Sequence, residues 1–145
     1  MEGVLKMIEE DIRMLLGKLS AKSRKNYSDA LLDLHIHVGQ EHALYHLWME
    51  DGLAQSQLSE RMGCEPPTLS NMLKKLVEYG LVTRMQDVND ARISRVYLTE
   101  EGRALEQPLQ EIWHKHQEKL LHGIYPEELL LLRRLLNQMI DNLNI

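Results

Sequence analysis

The chain has 145 residues, a length that suits one domain, and 43% hydrophobic with 27% charged residues is typical of a globular protein. A single cysteine excludes an intrachain disulfide, and the net charge of −5 argues against a uniformly basic surface while leaving local basic patches open. The first residues show no secretory signal, and no apolar run approaches the roughly 18 residues of a membrane span. We therefore expect a cytoplasmic protein without membrane contact.

The first third of the chain predicts two helices. Apolar residues recur at three- and four-residue steps from Val4 to Leu34, which indicates one long amphipathic helix that Gly39 ends. A second helix is predicted at residues 40–50, and it should end at Gly52.

Two short helices follow. The first is predicted at residues 55–62, where Gly63 stops it. The second opens at Pro66, because proline is tolerated in a first helical turn, and stops at Gly80. The apolar positions of this second helix, which should face the core, are Leu69, Leu73, Leu76 and Val77.

After Gly80 the apolar period changes from 3.6 to 2, which predicts a β-hairpin with its turn in the polar run at 87–91. Thr99 is a suitable N-cap for a helix that should reach His122, and Pro126 opens a last helix. That last helix carries more leucine than one buried stripe needs, and the excess indicates a subunit interface.

This order of elements is that of a mainly α-helical winged helix-turn-helix protein with a small β-hairpin. We expect a single chain in which residues 40–98 form the DNA-binding lobe. Residues 1–38 and 100–145 should supply the N- and C-terminal helices of the dimerisation region.

The second short helix has a face suited to the major groove of DNA. Its leucines turn inward, so small polar side chains near its start and basic ones further along point outward. Such a face offers short groups for base edges and cations for phosphates. The residues are Pro67, Thr68, Ser70, Asn71, Lys74 and Lys75. An ordinary solvated helix face is the alternative interpretation.

The hairpin adds arginines to this surface. Asp90 and Arg92 lie at its tip, and Arg84 and Arg95 lie on its strands. An arginine on a thin β-ribbon can enter the minor groove, and Asp90 is placed to hold such a guanidinium by a charge-assisted bond. The alternative is a surface ion pair worth about 0–1 kcal/mol.

Several segments together resemble the MarR family of regulators. They are QSQLSERM at 55–62, PTLS at 67–70, GLV at 80–82, DVNDAR at 87–92 and VYLTEEG at 96–102. The Asp-x-Arg wing followed by Leu-Thr-x-x-Gly is the specific part. The resemblance implies a triangular homodimer with interlocked first and last helices, bound to a pseudo-palindrome in double-stranded DNA. It also implies a repressor that a small effector releases.

Two positions depart from the family pattern. Ala54 stands where the family has a Ser or Thr cap, which should cost about 1 kcal/mol locally. Glu65 places an anion near the start of the DNA-facing helix, where it disfavours a phosphate.

The signal could be an oxidant, a metal or an organic molecule. Cys64 is the only thiol, and it lies where the family has an apolar residue, so a structural role is favoured over redox sensing. A zinc site is the second possibility; its weak candidates are Glu41, His42, His46 and His114. The favoured hypothesis is an unknown organic effector in a crevice lined by His42, Tyr45, Met49 and Trp113.

No catalytic motif is present: there is no nucleophile elbow, phosphate-binding glycine loop, zinc-protease motif or paired Cys-x-x-Cys. We therefore expect neither an enzyme nor a cofactor. A winged-helix module for protein contact, without sequence-specific DNA binding, remains the alternative function.

Overall fold

The computed structural model describes residues 1–144. Within these residues the order of helices and a two-stranded hairpin is the predicted one, with seven α-helices where the sequence predicts six. They are α1 (Glu2–Leu31), α2 (Val38–Met49), α3 (Gln55–Met62), α4 (Pro66–Glu78), β1 (Val82–Gln86), β2 (Ser94–Leu98), α5 (Glu100–Ala104), α6 (Glu106–Leu121) and α7 (Pro126–Leu143). The mainly α-helical fold class with a small hairpin is confirmed, and α2 to β2 form the helix-turn-helix and its wing.

The junction between the first two helices lies earlier than predicted. A short 3₁₀ turn follows α1, and the chain reverses at His35, which has a left-handed φ of 57°. Gly39 does not end a helix but lies in the first turn of α2. A Cβ atom on Gly39 would lie 3.1 Å from the sulfur of Met72, so this glycine allows α2 to approach α4 closely.

The core lies between α2, α3, α4 and the hairpin. Its fully buried side chains include Leu44, Leu47, Leu58, Leu69, Leu73, Leu76, Val82 and Val96. Burial of each such side chain contributes about 1.5–3 kcal/mol, so aliphatic residues alone stabilise a lobe that has no phenylalanine. This core fixes the orientation of α4 relative to the wing.

The base of the wing packs tightly against α5. Gly102 lies so close to β1 that a Cβ atom there would be 2.1 Å from the Leu81 carbonyl oxygen. The Trp48 Nε1 donates a hydrogen bond of 2.9 Å to the Gly102 carbonyl. Beyond this contact the helix is interrupted at Leu105, so the single helix predicted to His122 is divided into α5 and α6.

The outer helices leave much apolar surface uncovered. In α1 only Leu31 is buried, and no residue of α7 is buried. Their exposed aliphatic side chains include Val4, Ile8, Ile12, Leu15, Leu130, Leu131, Leu136 and Ile140. None of the helices in residues 1–144 combines the length and hydropathy required to cross a membrane.

Candidate nucleic-acid interface and adjoining cavities

Helix α4 presents the outward face that the sequence predicts. Leu69, Leu73 and Leu76 are buried on its inner side. Of the six α4 residues predicted to contact DNA, Ser70 is half-buried and the other five are exposed: Pro67, Thr68, Asn71, Lys74 and Lys75. The face is polar at its N-terminal end and basic at its C-terminal end.

The wing tip carries an arginine in a fixed orientation. Arg92 Nε lies 3.0 Å from Asp90 Oδ1, and Arg92 Nη2 lies 3.1 Å from Asp90 Oδ2. Hydrogen bonds from Arg92 hold the pKa of the Asp90 carboxyl below its usual range. The Arg92 side chain is nevertheless 90% exposed, so its charge remains available to a ligand.

The two strand arginines have internal partners. Arg95 Nε donates to Asp87 Oδ1 at 2.5 Å, and Arg95 Nη1 donates to the Gly52 carbonyl at 2.9 Å. Arg84 Nη2 donates to the Ser70 carbonyl at 2.7 Å, which ties the wing to α4. The Arg95 guanidinium thus holds the wing against the α2–α3 loop, and the DNA contact predicted for Arg95 stays a prediction.

Asp87 organises the wing turn from the other side. Its Oδ2 accepts hydrogen bonds of 3.0 Å from the backbone nitrogens of Asn89 and Asp90. These bonds and the hydrogen bond from Arg95, which is the largest cause, lower the pKa of the Asp87 carboxyl. The turn is therefore held by ionised groups over the whole neutral range.

Asp51 connects the wing to the outer helices. Its Oδ1 accepts from the Leu98 nitrogen at 2.8 Å, and its Oδ2 lies 2.6 Å from Arg103 Nη2. The sequence indicates only a turn at this residue. Its connecting role depends on partners 47 and 52 residues away, which no local pattern reveals.

The start of α3 is better stabilised than the missing cap suggests. Ala54 has no side-chain acceptor, but Gln57 Oε1 accepts a hydrogen bond of 2.9 Å from the Ala54 nitrogen. Gln40 makes the same bond to the His37 nitrogen at 3.0 Å at the start of α2. Each glutamine satisfies a backbone donor that the helix itself leaves free, which offsets part of the expected cost.

Cys64 has the structural surroundings that the sequence favours. The residue is half-buried and packs against the hydrophobic core between α3 and α4. Its backbone carbonyl accepts a hydrogen bond of 2.6 Å from Ser59 Oγ, which fixes the turn of the helix-turn-helix.

The three histidines among the zinc candidates lie in two places, on α2 and on α6. The rings of His42 and His46 lie 4.9 Å apart on α2, and His46 Nε2 is buried without a hydrogen-bond partner in residues 1–144. Burial lowers the pKa of His46. His114 lies at a shallow depression further along α6. Within the described residues no three His, Cys, Asp or Glu side chains are placed to hold a metal ion.

Two cavities adjoin Trp113. The larger, of about 530 Å³, lies between α1 and α6 and is lined by Ser20, Ser23, Arg24, Tyr27, Val38, Trp113, His116, Gln117 and Leu120. The smaller, of about 80 Å³, lies between α2 and α6 and is lined by Glu41, Tyr45, Trp48, Met49, Glu106, Leu109, Gln110 and Trp113. Of the predicted effector residues, three therefore line one cavity, while His42 lines neither.

Hydrogen bonds and burial shape the walls of both cavities, which share only Trp113. Ser23 Oγ and His116 Nε2 lie 2.9 Å apart, which joins α1 to α6. Burial is the main cause that raises the pKa of the Tyr27 hydroxyl, and the neighbouring Glu41 carboxylate adds to it. Burial also raises the pKa of Glu41. The Tyr27 hydroxyl in this region is buried without a hydrogen-bond partner in residues 1–144.

These features define a winged helix-turn-helix protein with an exposed polar and basic recognition helix. The sequence model of the MarR family matches residues 36–94. A MarR-family transcriptional regulator from Silicibacter pomeroyi is 30% identical, with 90% of this chain and 88% of that chain covered and a TM-score of 0.68. The chain belongs to the MarR family of transcription regulators.

Two further solved structures support the likeness over the whole fold. A MarR transcriptional regulator from Methanosarcina mazei Go1 is 28% identical over 92% of this chain and 96% of that chain, with a TM-score of 0.78. The S. aureus MepR–DNA complex is 26% identical over 90% of this chain and 97% of that chain, with a TM-score of 0.82. The likeness therefore includes the outer helices as well as the winged lobe.

Proposed function

We propose that this MarR-family protein is a homodimeric repressor that binds a pseudo-palindromic site in double-stranded DNA and is released by a small effector. The observation that carries the proposal is the pairing of an exposed polar and basic α4 face with the oriented Arg92 at the wing tip. A recognition helix fits the major groove, and the wing reaches the adjacent minor groove. The MepR structure, a complex with DNA, supports the same use of the fold.

The recognition surface carries basic residues although the net charge of the chain is acidic. The recognition surface includes Lys74 and Lys75, which form no ion pair within residues 1–144, and Arg92, which is paired with Asp90 but remains 90% exposed. The larger part of the acidic excess lies in residues 100–145, which have eight acidic and five basic side chains, while residues 1–38 are balanced with six of each. Phosphate contacts depend on local cations rather than on net charge, so a charge of −5 is compatible with DNA binding.

The homodimer accounts for the uncovered outer helices. Monomeric proteins rarely expose large contiguous apolar patches, yet α1 and α7 carry rows of exposed leucine and isoleucine. A second copy of the chain would cover both helices. Two-fold symmetry would then present two α4 helices to half-sites roughly 34–36 Å apart, which is why a pseudo-palindrome is expected.

A small effector fits the cavities beside Trp113. This residue on α6 faces Tyr45 on α2 with ring centroids 6.0 Å apart. A ligand held there would change how the outer helices sit on the winged lobe. The two α4 helices of a dimer must match a fixed spacing on DNA. A small change in the angle between the outer helices and the winged lobe would therefore lower the affinity for DNA.

The test is selection from randomised duplex DNA with the full-length protein, at low and at physiological salt. We expect enrichment of a two-fold-symmetric site, with affinity that falls steeply as salt rises. Enrichment of no sequence at either salt, together with salt-insensitive capture of a protein partner, would instead support the protein-contact module. On the enriched site, Arg92→Ala should bind about tenfold more weakly than the wild type, whereas Lys115→Ala, exposed on α6, should bind it normally.

A further inference from the structure

The smaller cavity beside Trp113 combines aromatic walls with two carboxylates. We propose that it binds the ammonium group of a small organic cation, and that such a cation is the effector of this regulator. The effector role rests on the proposed function. The binding itself does not, since it depends only on the cavity.

The tyrosine and tryptophan rings of α2 and α6, which are Tyr45, Trp48 and Trp113, all line this cavity. Both tryptophans of the chain and one of its five tyrosines line this cavity. The Tyr45 and Trp113 rings are inclined by 55°, so they form two walls of a box rather than a stacked pair. Trp48 is held in place by its hydrogen bond to the Gly102 carbonyl. Aromatic rings that present their faces to a cavity attract cations.

The charged groups in the cavity are both acidic. Glu41 comes from α2 and Glu106 from the start of α6, and none of the eight lining residues is basic. Neither carboxylate forms an ion pair within residues 1–144. Burial raises the pKa of Glu41 more than the neighbouring Tyr27 hydroxyl and His42 lower it, which is the direction expected of a carboxylate without a full counter-charge. A bound cation would supply the missing counter-charge.

The size of the cavity selects the kind of ligand. About 80 Å³ is ample for a few water molecules but small for a whole drug-sized molecule. An alkylammonium head fits this space, and the flexible Met49 at its rim can adapt to the attached chain. The larger cavity is lined by Arg24, and the positive charge of its guanidinium disfavours a cation there.

The position of the cavity connects ligand binding to the wing. Glu41, Tyr45 and Trp48 lie on α2, whose end leads to Asp51 and so to the base of β2. Glu106 and Trp113 lie on α6, which packs against α1. A cation that attracts both carboxylates would draw α2 and α6 together and change the angle between the winged lobe and the outer helices.

Calorimetric titration of the full-length protein tests the binding. The probes are choline, its neutral isostere 3,3-dimethylbutan-1-ol, and benzoate as an anion. We expect choline to bind at least tenfold more tightly than the isostere and to quench tryptophan fluorescence, and benzoate not to compete with it. Choline that binds no more tightly than its isostere overturns the proposal.

Two variants locate the site. Glu106→Gln and Glu41→Gln should each weaken choline binding about tenfold, because each removes one counter-charge while preserving the shape of the side chain. Glu111→Gln, exposed on α6 outside the cavity, is the matched control and should bind choline normally. Equal affinity in Glu106→Gln, Glu41→Gln and the control overturns the assignment, provided that thermal unfolding shows all three folded.

A measurement of DNA affinity with and without choline tests the effector role separately from the proposed function. Choline should lower the affinity of the wild-type protein for its selected site and have a weaker effect on Glu106→Gln. Choline that binds but leaves DNA affinity unchanged overturns its role as effector and leaves the proposed regulator intact. Failure to bind any DNA overturns the proposed function, while the calorimetric result still decides the nature of the cavity.

Discussion

The Asp90 carboxylate holds the Arg92 guanidinium through two parallel hydrogen bonds of 3.0 and 3.1 Å at the tip of the wing. The Arg92 backbone nitrogen also donates to Asp90 Oδ1 at 3.0 Å, so the same carboxylate shapes the turn and orients the side chain. A pair so exposed contributes little to stability. Its consequence is a guanidinium that is already positioned when the wing meets a ligand.

Arg92→Ala should lower DNA affinity about tenfold for all sequences and reduce the slope of log affinity against log salt by about 1 per wing, because one phosphate-neutralising cation is lost. Fluorescence anisotropy over a salt series measures both quantities. Asp90→Asn keeps the arginine charge and should lose less affinity than Arg92→Ala. Wild-type binding by Arg92→Ala would show that the wing does not contact DNA.

Asn71→Ala should change base preference rather than general affinity. Asn71 is exposed on the outward face of α4, where an amide can accept and donate to a base edge. Discrimination at one position in each half-site should fall by about 1–3 kcal/mol. Repeating the selection with this variant measures the change, and a uniform loss over all sequences would place Asn71 on the phosphate backbone instead.

Gly102→Ala should destabilise the fold by about 3 kcal/mol, at the upper end of overpacking costs, because the new methyl group would meet the Leu81 carbonyl at 2.1 Å. Urea unfolding at constant protein concentration measures this difference. Gly3→Ala is the control, since no atom lies within 4 Å of its added Cβ. Equal stability of the two variants would mean that α5 can move away from the hairpin without cost.

Glu41→Gln should raise the thermal midpoint at neutral pH. Burial raises the pKa of Glu41 above its ordinary value of 4.5, so the folded state binds this proton more tightly than the unfolded chain does. The stability contributed by this group is therefore present below pH 4.5 and lost as pH rises through the higher folded-state pKa. Glutamine should abolish that loss, whereas the exposed Glu111→Gln should leave the pH profile as it is.

Leu131→Glu should shift the protein from dimer to monomer, because α7 would have to bury a charge in the proposed subunit interface. Leu131 is 52% exposed in the single chain. Val88→Glu makes the same type of change at the wing tip, where the side chain is 98% exposed, and should leave the dimer intact. Sedimentation equilibrium gives both masses; a dimeric Leu131→Glu protein would mean that α7 lies outside the interface.

The resemblance and the local patterns together account for the order of elements. The sequence predicts α3 with the bounds it has, and it predicts Thr99 as an N-cap, which is confirmed by the 3.1 Å bond from the Gly102 nitrogen to Thr99 Oγ1. Such features depend on residues three or four apart, so they can be predicted without knowledge of the fold. The boundary at Gly39 was predicted wrongly because glycine usually marks a break, whereas here it permits a close contact with Met72.

The sequence by itself therefore determined the element types, the buried stripe of α4 and the identity of the wing tip. Period, capping and turn chemistry act over a few residues and leave their mark in the local pattern. Only the tertiary structure decided that Arg95 is bound to Asp87, that Asp51 joins the wing to α5, and that Glu41 meets both tryptophans in one cavity. Those relationships join residues distant along the chain, and packing of α2, α6 and the hairpin brings them within contact distance.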